Sequence, residues 1–535
     1  MKRRLLFIAA VFAATAALMA LQKPVFLAFY SAEAAAASWH ELWLVVRNGL
    51  RLDLTVAGYV TAPVLLAVIA SLWVDLSDRA WRRIAGVWLV AVAVVTSAIF
   101  AGDLALYRYW GFRIDGSVMI YLADPKNAMA SVEAAEALRQ TAIFAVWTAM
   151  MSWVYLSLLR LFDGSRTRWR LPWTGVLLLI GGVLFLAIRG GVGTSVANVS
   201  KVCFSKNMFL NHAAINPVFS LLSTLGGNDD FAAQYDFFPE ERRAELFAEA
   251  MGPAPGSASA DTVRLLRTQR PNVVLVIMES FSRSILDAEA EGQPVMPRMK
   301  ELAARSVWFE NLYANSFRTD RGQVAILSGF PAQTRISLMK YPAKAPALPS
   351  LARSLGREGY RTSFTYGGDL NFTNQRSYLY ATGYENLTWQ NGLHLDAPTS
   401  KWGYADDVMA DLFASQVEEL SADGEPFFAT WLTLSAHEPF DVPYRRLGDK
   451  VLNSHAFADE VVADMIERWR AQPEVWDDLL VVLVADHAFP WRPEDRFNAP
   501  ERHRIPMIWT GGALATPPLS VAEYASQSDL AATLL

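Results

Sequence analysis

Cysteine is almost missing from this chain: Cys203 is the only one in 535 residues. No internal disulfide can brace any part of it, yet an extracytoplasmic domain of this size can be stable without bridges, so the compartment stays open. Net charge is scarce as well, at -5 over the whole length, which argues against a nucleic-acid partner without favouring another. Internal repeats and long low-complexity tracts are also lacking, so the chain does not read as a repeat array.

What the chain has in excess is apolar residues, 53% of the total. They crowd the first 190 residues, where five runs approach the ~20 helical residues needed to cross a hydrocarbon core. These are Leu5 to Leu21, Leu54 to Val74, Ile84 to Leu106, Thr141 to Phe162 and Trp173 to Ile188. The Lys2-Arg3-Arg4 start and short apolar core of the first also fit a signal peptide, but four further runs favour a retained helix.

Orientation follows from the basic residues between the runs. The short second connection holds Arg79, Arg82 and Arg83, and the short fourth holds Arg166, Arg168 and Arg170. Short basic loops stay in the cytoplasm, so with the amino terminus also inside, five crossings place everything after Arg189 outside. Trp73, Trp81, Trp169 and Trp173 suit interfacial positions, and Asp103 is expected at the outer interface. In the third connection, SVEAAEALRQ reads as a helix on the outer membrane surface or a simple connector.

The expected organisation is a transmembrane domain over 1–190, a juxtamembrane and linker region over 191–268 and an extracytoplasmic catalytic domain over 269–535. MGPAPGSASAD is the flexible linker. Beyond it, strand-like NVVLVIMES, YRTSFTYGGD, PFFATWLTLSA, DDLLVVLVADH and RIPMIWTG alternate with helix-like segments, and RIPMIWTG closes the series. Such alternation predicts an α/β fold, a mostly parallel sheet covered by helices on both faces.

Polar residues finish these strands: Glu279, Asp369, His437 and the pair Asp486-His487. In a parallel sheet all strand carboxyl ends point the same way, so residues distant in sequence converge at one edge, where open α/β folds bind substrates. A strand-end acid is often only a cap for the next helix, but two buried strands ending in hard-cation ligands point to a metal centre. Thr319 is expected in a polar loop, FRTDRG, ahead of apolar VAILSG. A hydroxyl attacks phosphorus poorly at neutral pH unless its pKa is lowered, which a divalent cation held by carboxylate and imidazole does.

NVVLVIMES, FRTDRG, SAHEPF and VADH, in this order and spacing, resemble the lipoteichoic acid synthase family of membrane phosphoglycerol transferases, within the alkaline phosphatase and sulfatase superfamily. The resemblance covers nearly the whole chain, since those proteins carry five transmembrane helices before an extracellular sulfatase-like domain. It implies metal ligands at Glu279, Thr319, Asp486 and His487, with Thr319 also the nucleophile, and one divalent cation, manganese first, magnesium or zinc as alternatives. It implies substrate contacts from His437 in SAHEPF and from Arg376, with Asn374 beside it, in NFTNQR.

The implied reaction is transfer of a phosphoglycerol group from phosphatidylglycerol, through a covalent threonine intermediate, to a glycan or teichoic-acid-type acceptor, at the inner or cytoplasmic membrane of a bacterium. The chain departs from the family in two places. Thr373 stands where lipoteichoic acid synthases have a tryptophan, and the chain stops at SDLAATLL, where relatives continue through further sheet elements. His503 is a further residue expected near the metal. Three alternatives stay open: phosphoethanolamine transfer, hydrolysis of a phospholipid head group, and a degenerate membrane sensor or scaffold. The first is disfavoured because those enzymes carry several disulfides and a cysteine beside the nucleophile.

Overall fold

A computed structural model describes every residue except 120–133, 166, 226–235, 252–263, 333–335, 493–494, 496–497 and 516. Arg166 and the linker beyond Met251 therefore lie outside the described residues. Among those described, five helices are long and apolar enough to cross a membrane: α1 (Lys2–Phe29), α2 (Trp39–Trp73), α3 (Asp78–Trp110), α4 (Ala134–Leu158) and α5 (Arg170–Arg189).

Both α2 and α3 outrun their apolar stretches. With 35 and 33 residues, each is ~50 Å long at 1.5 Å per residue, against a hydrocarbon core of ~30 Å. A capping box between Ser38 and Glu41 starts α2, and Gly111, at φ 71°, ends α3 in the left-handed conformation that suits glycine. AEALRQ is not a separate surface helix but the first turns of α4, while residues 131–133 of that pattern lie outside the described residues.

Charge is buried inside this helical domain. Lys23 Nζ donates to Asp53 at 2.6 Å, and Asn216 Nδ2 donates to the same carboxylate at 2.8 Å. Asp103 is fully buried within the protein, 2.9 Å from Arg113, whose guanidinium lies 4.1 Å from the centre of the Phe26 ring. Buried charges are costly unless paired and hydrogen-bonded, so these pairs tie α1, α2 and α3 to the residues that follow α3 and to Asn216. Asn216 caps α7 (Pro217–Thr224), which with α6 (Met208–Ala214) packs against α2.

The segment leaving α5 docks on the second domain. Ser195 Oγ donates to Asp369 at 2.7 Å, Asn198 Nδ2 to the Asn371 carbonyl at 2.8 Å, and the Ser377 N–H to Ser200 Oγ at 3.0 Å. Asp369 thus ends its strand as an anchor for this strap. Helix α8 (Glu240–Met251) follows, charged and exposed.

The second domain is an α/β layer around one eight-stranded sheet. In chain order its strands are β1 (Asn272–Met278), β2 (Val307–Tyr313), β3 (Arg361–Tyr366), β4 (Asn386–Trp389), β5 (Phe427–Leu432), β6 (Leu479–Ala485), β7 (Arg504–Thr510) and β8 (Leu519–Ser526). Across the sheet they run β8-β2-β7-β6-β1-β5-β3-β4. Only β7 is antiparallel to its neighbours. β1, β5 and β6 sit centrally and are almost wholly buried, as continuous Val, Leu, Ile and Phe runs require in a sheet covered on both faces.

The expectation that RIPMIWTG closes the series is overturned: β8 follows it and pairs in parallel with β2. β2 and β4 are also new. VWFENLY and NLTW lie only partly buried toward the sheet's margins, and their mixed composition lacks the continuous apolar signal of the centre.

Candidate active site

The central register brings the acids together. β1 and β6 pair in parallel from Asn272 with Leu479 to Met278 with Ala485, so Glu279 and Asp486 are the next residue on each strand. Both leave the sheet at its carboxyl edge, and His487 follows at once. One ligand atom from each of Glu279, Asp486 and His487 lies within 4.8 Å of the others. His503, in the turn before the reversed strand β7, is not part of this group.

Thr319 is not in a loop. It opens α9 (Thr319–Ser328), with Arg318 at the N-cap. Its Oγ1 lies 3.1 Å from Glu279 Oε2, donating a hydrogen bond. Unpaired backbone N–H groups and the positive end of the helix dipole surround a residue in this position, and both favour a negatively charged oxygen there. The polar first turn that suggested a loop is what a helix N-terminus recruits.

The turn after β1 is heavily constrained. Ser280 adopts φ 64°, a strained region for a residue with a side chain. Its N–H donates to Asp486 Oδ1 at 2.8 Å and its hydroxyl to Glu279 Oε1 at 2.8 Å. The buried ring of His455 stands 3.2 Å from the Ser280 carbonyl and 2.8 Å from that of Val451. From the far end of the chain, buried Gln527 donates through Nε2 to the carbonyls of Ala485 and Asp486, each at 2.7 Å. Neither His455 nor Gln527 belongs to a pattern readable in sequence.

Electrostatics mark the cluster as short of positive charge. Asp486 is fully buried, and burial together with the charge of Glu279 pushes its pKa up. Burial would also raise Glu279, but the hydrogen bond and charge of His487 hold it well below the usual carboxylate range. Burial would lower His487, yet Asp486 and Glu279 outweigh it and push the imidazole up to about 9. Its Nε2 stands 3.5 Å from Glu279 Oε1 and 3.6 Å from Asp486 Oδ2. One imidazolium cannot neutralise two carboxylates, and Asp486 Oδ2 is sealed from solvent without a hydrogen-bond partner among the described residues. Oxygen and nitrogen donors with an orphaned carboxylate oxygen fit a hard or borderline divalent cation.

The other expected residues are more dispersed. His437 follows β5 on the same edge. Its ring packs 4.6 Å from that of Trp402, whose Nε1 donates to the Glu438 carbonyl at 2.6 Å and whose ring also contacts Phe372. Trp402 thus walls this side of the edge from a loop that carries no motif. Arg376, on α10 (Gln375–Ala381), lies 5.1 Å over the ring of Trp389 and forms no ion pair among the described residues. Asn374, at φ 65°, lines a cavity whose walls include none of Glu279, Thr319, Asp486 or His487.

Residues 271–535 match the sulfatase family. Phosphoglycerol transferase I of Xanthomonas campestris pv. campestris is 27% identical over 291 residues, 50% of this chain and 40% of that protein. A lipoteichoic acid synthase-like protein of Bacillus subtilis is 22% identical over 238 residues, 40% of this chain and 36% of its own length. Among solved structures, a protein in the alkaline phosphatase superfamily from Vibrio parahaemolyticus aligns with a TM-score of 0.48 at 22% identity, covering 56% of this chain and 75% of that one. The chain spans about 40% of the length of the phosphoglycerol transferases it matches first.

Proposed function

Residues 271–535 form a sulfatase-family domain, and from that premise we propose that the chain is a membrane-anchored transferase that moves a phosphoglycerol group from phosphatidylglycerol to a glycan or teichoic-acid-type acceptor. The observation that carries this reading is the placement of Thr319 Oγ1, at a helix N-terminus, 3.1 Å from a buried carboxylate of the Glu279, Asp486 and His487 cluster.

Thr319 Oγ attacks the phosphorus of the lipid head group while its proton passes toward Glu279, the acceptor it already faces. The Oγ–P bond forms, the bond to diacylglycerol breaks, and His437 supplies the proton that the departing oxygen needs. The phosphoglycerol group then rests on Thr319 until an acceptor hydroxyl attacks the same phosphorus, restoring the free threonine. Arg376 holds the glycerophosphate portion, with Trp402 excluding water beside His437. Glu279, Asp486, His487 and Thr319 hold one divalent cation, manganese in our reading, with magnesium or zinc as alternatives; when bound it supplies charge neutralisation and a lowered hydroxyl pKa.

The five apolar helices anchor the enzyme in the bacterial inner or cytoplasmic membrane, with the amino terminus inside and the sulfatase-like domain outside, as the short basic second and fourth connections support. A lipid donor makes such tethering useful. The test is release of diacylglycerol from fluorescent phosphatidylglycerol by the full chain with manganese, together with intact mass. Wild-type release and a mass gain of one phosphoglycerol unit, both absent in Thr319→Ala, are expected; release by Thr319→Ala at the wild-type rate would end the proposal.

A further inference from the structure

A cavity of about 750 Å³ lies where the helical domain meets the sulfatase-like domain. Its floor includes Phe112 and Arg113, just beyond α3, and its sides include Met208, His212 and Ser220 on α6 and α7. Lys340 and Asn374 of the second domain close it from above. A volume of this size is typical of small-molecule sites.

His212 shows what the cavity is built to receive. It is 9% exposed, and its Nδ1 stands 3.1 Å from the Tyr107 hydroxyl, while the other ring nitrogen has no partner among the described residues. Burial and the neighbouring charge of Arg113 bring its pKa down to about 4, so it faces the cavity as a neutral imidazole. In the tautomer in which the tyrosine hydroxyl donates to Nδ1, Nε2–H is free to donate to a phosphate or ester oxygen in the cavity; in the other tautomer Nε2 accepts instead.

The charged walls are Lys340 and Lys344, with Arg113 already paired to Asp103, against one acid, Asp115, whose carboxylate is engaged by the Ser117 N–H at 2.9 Å. Lys340 is exposed and has no carboxylate partner among the described residues. Phe112, Met208 and Ile215 add apolar surface beside these polar groups. The cavity therefore presents a positive, hydrogen-bonding face next to a greasy one, at the end of helices too long to be contained in a hydrocarbon core.

We propose that this cavity binds the head group and glycerol backbone of an anionic glycerophospholipid, through His212, Lys340 and Asn374, as a site separate from the metal cluster. The choice of a lipid rests on the donor reading above. Asn374 leads directly to Gln375, which accepts a hydrogen bond from Gln323 of the Thr319 helix at 3.3 Å, so a lipid held here waits one helix away from the nucleophile.

The full chain carrying Thr319→Ala, which consumes no lipid, is titrated in detergent with dioleoyl-phosphatidylglycerol and bound lipid is counted by native mass spectrometry. One tightly held lipid is expected, with affinity at least ten-fold weaker in Lys340→Glu and in Ser220→Trp, the second of which fills the cavity. Unchanged affinity in both variants, with unchanged helical circular dichroism, would overturn the site. So would equal retention of dioleoyl-phosphatidylcholine, or displacement of the lipid by inorganic phosphate at matched concentration. If the lipid is held as expected while the wild-type chain releases no diacylglycerol, the transferase reading fails and the lipid site stands.

Discussion

Gly322 of the Thr319 helix presses on the backbone of Asp486: a Cβ added to Gly322 would lie 2.0 Å from the Asp486 carbonyl oxygen. That oxygen also accepts from Gln527, so the carbonyl cannot swing aside. The helix carrying the candidate nucleophile is therefore seated on the strand end carrying the candidate ligand, with no room for a methyl group. Gly322→Ala should shift the Thr319 helix by about 1 Å and lower kcat/KM by on the order of 100-fold. Diacylglycerol release measures it, and a rate within two-fold of wild type would contradict the seating.

Thr319→Ser keeps a hydroxyl at the helix N-terminus and should retain measurable turnover, whereas Thr319→Val, near in shape, should retain none. Intact mass after a brief exposure to phosphatidylglycerol separates them: a phosphoglycerol adduct on the serine variant and none on valine.

Much of this centre is legible before any coordinates exist. NVVLVIM and LLVVLVA are continuous apolar runs of strand length, and only a sheet covered on both faces buries such segments, so Glu279 and Asp486 fall on one edge by direction alone. What cannot be read are contributions with no local pattern. Trp402 comes from an irregular loop, His455 from the middle of a helix and Gln527 from beyond the last recognised strand. Gly322 is equally silent, because its need for a missing side chain exists only once Asp486 is opposite it. Thr319 reads as loop because the polar residues of a helix's first turn and those of a loop are the same kinds.

Removal of the cation should loosen the site. The buried carboxylates repel one another without a counter-charge, so manganese should raise the melting temperature of the full chain in detergent, following the ~2.7 kcal/mol that ligand at a hundred times Kd supplies. Asp486→Asn should abolish most of that increment. An identical manganese shift in the variant would move the cation elsewhere.

Trp402→Ala should free the ring of His437 and admit water beside it, with an expected fall of about ten-fold in kcat; Trp402→Phe should recover most of it. Equal loss in both variants would point to the Glu438 hydrogen bond rather than the ring contact.

Asp459 offers a pH-dependent test of stability away from the centre. It accepts N–H groups from Met299 at 2.7 Å and Arg298 at 3.1 Å, and burial raises its pKa from 3.8 to about 6. The folded state thus holds the proton more strongly than the unfolded one. Its contribution is fully present below pH 3.8 and is lost as pH rises through about 6. Against Asp459→Asn, the wild type should lose about 2 kcal/mol of relative stability between pH 4 and 7. Thermal melts across that range would show parallel profiles if Asp459 titrates normally.

The strap after α5 joins Ser195, Asn198 and Ser200 to Asp369, Asn371 and Ser377. These three attachments bracket Arg376 within a stretch of nine residues. The position of the Arg376 guanidinium is therefore set in part by α5, and a shift of that helix relative to the sheet reaches it through these three hydrogen bonds.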